Sequence, residues 1–150
     1  MSPKAEYRAL SRPECVAILA RNRVGRLAYA FKDKVDIEPI GYVWDDDTLF
    51  FRTAPGFKLE TLQHSPWVAF EVDEIEGPFQ WASVVVKGTV YFLRSSGTEF
   101  DLATWERGRA ALRRADPTVG TPRDQASDRT NLFRIHVDEI TGRAAGSAGA

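Results

Sequence analysis

The chain reads as a mainly β domain with flanking helices, in which six antiparallel strands form a small closed or nearly closed barrel with helices on its rim. Two observations carry that expectation. Apolar residues recur at every second position in several segments, as at Val68, Phe70 and Val72, which is the period of a strand with one buried face. Successive strands are joined by short turns rather than by crossover helices, which argues against a parallel sheet. At 150 residues and 43% hydrophobic, the chain supports one domain with a modest core. Residues 1–140 are expected to form that domain and 141–150, rich in small residues, a flexible tail.

The elements follow in order. Ser11 and Glu14 have the spacing of a capping box, so a helix opens there and runs to about Asn22. Arg26–Phe31 and Ile37–Trp44 read as a hairpin across a polar turn at Lys32–Asp36. Pro39 cannot donate to a ladder, which points to an edge, a bulge or a ligand-facing position. Asp45-Asp46-Asp47 is a tight turn into a strand over Thr48–Thr53, with Leu49 and Phe51 on one face and Phe50 and Arg52 on the other. A short helix spans Gly56 to Gln63 and stops at His64-Ser65-Pro66. Trp67–Glu74 is a half-buried strand, and Gln80–Arg94 is a long one expected to bend at Gly88. Ser96 and Glu99 repeat the capping spacing ahead of a helix to about Ala115, whose Arg107, Arg109, Arg113 and Arg114 read as a solvated face. A polar loop over 116–130 then leads to a last strand, Asn131–Asp138.

Composition removes several classes of function. The net charge is −1 with acidic and basic residues interspersed, so there is no basic footprint for nucleic acid. No apolar run approaches the roughly 20 residues of a membrane span and the N-terminus carries no apolar signal segment, so the chain is expected to be cytoplasmic. Cys15 is the single cysteine and sits among aliphatics, as a small buried hydrophobe would. His64 and His136 belong to no ligand pattern, so no metal site is expected. Dinucleotide, Walker A and G-x-S-x-G signatures are absent from the sequence.

The segment Phe50-Phe51-Arg52-Thr53-Ala54-Pro55-Gly56-Phe57-Lys58-Leu59 carries the strongest chemical signal. It places two cations, a hydroxyl and a glycine where a strand gives way to a helix, and the free amides of a new helix add N–H donors. That combination suits a phosphate group. The alternative is an ordinary polar connection. Glu71 and Asp73 share a strand face, a spacing that suits acid/base work or solvation equally.

Taken with Glu38-Pro39-Ile40-Gly41-Tyr42 upstream, and Trp67–Asp73 and Trp81–Gly88 downstream, this segment resembles the pyridoxamine 5′-phosphate oxidase-like family, in particular its short, NimA-like branch. The resemblance covers roughly Ser11 to Leu93, with a weaker likeness over Phe133–Arg143. It implies a six-stranded antiparallel FMN-binding split β-barrel that forms a homodimer, with FMN at the subunit interface. By motif, Arg52, Thr53 and Lys58 would hold the FMN phosphate, with Leu59 beside them, and Glu38, Pro39, Ile40 and Gly41 would lie along the isoalloxazine ring. Trp81 and Ser83 would close the pocket at the phosphate and ribityl end, while each also suits a purely structural place, in the core or on a ladder. Tyr42 and hydrophobic neighbours stand where the vitamin-synthesising oxidases carry basic residues, which points away from pyridoxamine 5′-phosphate as substrate. The resulting expectation is an FMN-dependent oxidoreductase acting on a small organic substrate, with no catalytic residue named. The alternative is a non-catalytic dimer that binds flavin or deazaflavin.

Overall fold

The computed structural model describes residues 4–146. Their elements run β1 (Tyr7–Ala9), α1 (Arg12–Arg21), β2 (Val24–Phe31), β3 (Lys34–Gly41), β4 (Val43–Asp45), β5 (Thr48–Thr53), α2 (Phe57–His64), β6 (Trp67–Gly77), β7 (Gln80–Phe92), α3 (Glu99–Ala115) and β8 (Asn131–Ala145). All pairings are antiparallel, in the order β3-β2-β6-β7-β8-β5-β4, with β1 added to the far end of β8. β3 and β4 are the two ends of that order, yet only Tyr42 separates them in the chain. A sheet whose first and last strands are consecutive must curl until its edges meet. Tyr42 marks the seam: its amide donates to the Arg23 carbonyl at 2.9 Å and its buried hydroxyl to the Leu19 carbonyl at 2.8 Å. The product is a split β-barrel.

Its interior is filled by the inward residues of each strand, among them Leu27, Leu49, Phe51, Phe70, Val84 and Ile135. Phe51 stacks on Phe133 with ring centroids 4.8 Å apart and meets Phe70 edge-on at 5.1 Å, the two arrangements that aromatic quadrupoles favour. A smaller cluster of Val43, Phe50, Ala111, Leu112, Val119 and Leu132 packs α3 against the outside of the barrel. β5 is therefore covered on both faces.

Several expected elements are present as read. Ser11 and Glu14 form the capping box of α1, Asp46 and Asp47 turn the β4–β5 hairpin with φ of 43° and 61°, and Pro39 lies on an edge strand. The β7 ladder is irregular between Lys87 and Gly88, where a Cβ on Gly88 would collide with the His136 carbonyl. Close approach of backbone requires glycine there.

Other expectations need correction. There are eight strands among the described residues rather than six. The seam at Tyr42 divides the expected Ile37–Trp44 strand into β3 and β4, and β1 exists because β8 offers it a partner. The expected tail over 141–150 begins too early, since β8 continues to Ala145 between β7 and β1; residues 147–150 lie outside the described residues. The cap of α3 is Thr98 with Asp101, not Ser96 with Glu99. Arginines of α3 do more than face solvent: Arg107 and Arg114 both pair with Asp45, at 3.1 and 2.9 Å, and Arg113 donates to the Val119 carbonyl. No helix among the described residues is long and apolar enough to cross a membrane.

Candidate functional site

Strand alternation decides where the residues of the β5–α2 segment point. Phe51 and Thr53 face inward, whereas Phe50 and Arg52 face α3. Arg52 reaches Asp124 in the 116–130 loop with both terminal nitrogens, at 2.6 and 3.0 Å, and donates again to the Ala126 carbonyl at 3.2 Å. Asp124 also accepts the amides of Gly120 and Ala126, each at 3.0 Å. Its carboxyl is held far below the usual range, first by Arg52 and then by those amides. This planar, bidentate arrangement locks the loop to the barrel. Arg52 is therefore not gathered with Thr53 and Lys58.

Thr53 is buried at the end of β5, and Gly56 follows with φ of 151°, a conformation that L side chains rarely adopt. A Cβ on Gly56 would meet nothing within 4 Å, so the turn opens outward. The first intrahelical bond of α2 runs from the Glu60 amide to the Gly56 carbonyl at 3.1 Å. The amides of Phe57, Lys58 and Leu59 precede it, and no side chain caps them. Lys58 stands in this first turn and forms an ion pair with Glu38, which reaches across from β3. Glu38 Oε1 is buried and has no hydrogen-bond partner apart from that ion pair. Nearby, burial first, and then the Glu38 and Asp36 carboxylates, push the Tyr29 hydroxyl up to about 12.

The β2–β3 register places Glu38 and Ile40 on the inward face and Pro39 and Gly41 on the outward one. Trp81 and Ser83 are also outward, on β7, with Trp81 against Tyr7 at 6.3 Å between ring centroids. Ser83 donates to Glu71 at 2.8 Å, and Glu71 accepts from Arg26 at 2.8 Å, with Asp73 a further 3.1 Å partner of Arg26. Burial raises the Glu71 carboxyl, but Arg26, Asp73 and Ser83 together hold it lower than usual; Asp73 is pushed up by burial and by Glu71. The predicted residues thus fall into three places: an inner side with Thr53, Glu38 and Ile40, where Lys58 from the first turn of α2, next to Leu59, pairs with Glu38; an outer face with Pro39, Gly41, Trp81 and Ser83; and Arg52 beneath α3. Arg26 and Asp124 were missed. Register supplies the first and a contact 72 residues long the second, and neither has a local sequence signal.

The chain belongs to the pyridoxamine 5′-phosphate oxidase family, whose model matches residues 11–144. A solved FAD-binding protein from Mesorhizobium loti is 30% identical, with 94% of this chain and 99% of that one covered at a TM-score of 0.73. The FAD-binding protein from Mycobacterium smegmatis is 29% identical over 92% of this chain and 98% of its own, at 0.65. A protein of Bacteroides thetaiotaomicron proposed to act in 5-nitroimidazole antibiotic resistance shares the fold at 17% identity and a TM-score of 0.70, covering 96% of this chain and 90% of that one.

Proposed function

We propose that this chain is a flavin-dependent oxidoreductase that holds the phosphate of FMN at the β5–α2 turn and acts on a small organic substrate. The observation that carries this reading is the uncapped start of α2, with Lys58 in its first turn and Thr53 just before it. Free amides, the positive end of the helix dipole and an ammonium group suit a phosphate dianion. The two relatives near 30% identity that carry FAD support a flavin. A bound flavin would supply electron-pair transfer that no side chain offers.

The chain's own residues bind and orient. Lys58 and the α2 amides would hold the phosphate, in exchange for the ion pair that Lys58 makes with Glu38. Pro39 presents no N–H and Gly41 no side chain, which leaves β3 a smooth strip for a planar ring. The outward residues would complete the pocket from a second copy of the chain. Val35, Ile37 and Trp67 support such a homodimer: they are 80%, 63% and 68% exposed on the outward face of β3 and β6, an apolar patch of the kind that marks interaction surfaces.

The test is the visible spectrum of the purified chain with and without added FMN, with any released chromophore identified by mass. Stoichiometric FMN that is bleached by a nicotinamide donor and recovers with an acceptor is the expected result. FAD or a deazaflavin in its place would correct the cofactor, flavin inert to donors would favour a non-catalytic binding dimer, and no chromophore affinity would overturn the reading.

A further inference from the structure

We propose that the cleft beneath α3 is a second binding site, for a small organic anion bearing phosphate or carboxylate groups. It lies where the C-terminal half of α3, the β3–β4 corner and the 116–130 loop meet, in two adjoining lobes of about 260 and about 240 Å3. Arg52, Val119 and Arg129 border both lobes, Arg23 adds to the first and Arg109 to the second. Together the lobes reach the size of ordinary small-molecule sites.

The charges in this cleft are unequal. Asp124 is fully engaged by Arg52 and two amides, and Asp116 accepts from the amide and hydroxyl of Thr118 while standing 3.9 Å from Arg52. Among the described residues the Arg23 guanidinium donates only to the carbonyls of Ala20 and Asn22, and Arg109 lies over the Trp105 ring at 5.3 Å. The Arg129 amide donates to the Ala126 carbonyl at 2.9 Å, but its guanidinium has no hydrogen bond or ion pair among the described residues. Arginines that serve only the surface of α3 look different: Arg107 and Arg114 converge on the carboxylate of Asp45. Three arginines thus border the two lobes with no carboxylate partner of their own, Arg129 both and Arg23 and Arg109 one each, beside apolar walls from Leu112 and Val119 that limit screening. Planar forks of this kind match phosphate and carboxylate oxygens. The second lobe adds Trp105 and the hydroxyl residues Ser127 and Thr130, which suit the body of such a ligand.

The proposal does not rest on the flavin reading: Gly41 of the β3 strip borders the first lobe, but Arg23, Arg109 and Arg129 lie outside the β5–α2 turn. It is tested by calorimetric titration of the full chain with inorganic pyrophosphate and, separately, citrate. At least one probe should bind, more weakly as salt rises, and Arg23→Ala with Arg129→Ala should weaken it at least tenfold. Lys34→Ala, an exposed charge that borders neither lobe, should leave that affinity unchanged. Both arginines are exposed, and Arg129→Glu alone, with the same expected loss, serves if the double variant melts early. Binding of pyrophosphate alone would assign a phosphate ligand and of citrate alone a carboxylate. No heat with either probe at millimolar concentration, equal affinity in the arginine variants, or a loss seen only in Lys58→Ala would overturn the proposal.

Discussion

Arg52 and Lys58 stand six residues apart in one segment, yet their surroundings differ in kind. Arg52 is largely buried and has three acceptors, two oxygens of Asp124 and the Ala126 carbonyl. Lys58 sits at a rim with one partner, Glu38, beside amides that have none within the helix. A multiply paired, desolvated cation is costly to disturb and contributes architecture, whereas a singly paired cation next to free donors can accept a ligand at small cost. Two basic residues within one motif therefore need not serve one phosphate. The alternation of β5 turns Arg52 toward α3, and the turn into α2 carries Lys58 to Glu38 on β3.

The largest effect expected from this contrast is on stability. Arg52→Ala leaves Asp124 and the loop it organises without their cation, and should lower the melting temperature by on the order of 10 °C. Lys58→Ala should lower it by less, because the Glu38 side chain that loses its partner is 33% exposed and can turn toward water, whereas Asp124 is 2% exposed. Thermal melts of the two variants side by side check this, and equal losses would erase the distinction.

Ligand affinity should show the reverse order. Lys58→Ala removes a charge-assisted contact to phosphate and should weaken FMN binding by roughly 10- to 100-fold in a fluorescence titration. Glu38→Gln sharpens the comparison, since it releases Lys58 from its ion pair; FMN should then bind a few-fold more tightly.

Acid provides the smallest and most graded test. Arg8 and the Ser11 amide hold the Glu14 carboxyl at about 2, below its ordinary value of 4.5. A depressed carboxylate stabilises the fold above its ordinary pKa and loses that contribution as pH falls through the folded value. Stability supplied by the start of α1 should therefore fade between about pH 4.5 and pH 2. Asp124 has the same sign and lies lower still, so the lock beneath α3 should outlast the α1 cap. Amide exchange followed along an acid titration reads the two regions separately, and simultaneous loss would contradict the ordering.

How much of this was legible in the sequence depends on range. Strand β5, its two faces and the Ser11–Glu14 cap follow from patterns a few residues long, and the structure holds them as read. β1 was invisible because three exposed residues carry no alternation, and pairing with β8 alone makes them a strand. The end of β8 was misread because Gly142, Ala144 and Ala145 look like a tail by composition; here their small size lets them pack, with Leu10 and Cys15 against Gly142. Glu38, Lys58, Thr53 and Gly41 were singled out by motif, but the sorting of these and Arg52 into separate places depends on register and on Asp124, 72 positions away. Local chemistry showed which groups were available, and only the fold shows which of them meet.

The central claim is that Lys58, and not Arg52, stands at the phosphate. It is tested most directly by measuring the affinities of riboflavin and FMN, which differ by that phosphate, for the unmodified chain and for Lys58→Ala. FMN should bind at least tenfold more tightly than riboflavin to the unmodified chain, and most of that advantage should vanish in the variant. An FMN advantage that survives in Lys58→Ala would place the phosphate elsewhere and contradict the account.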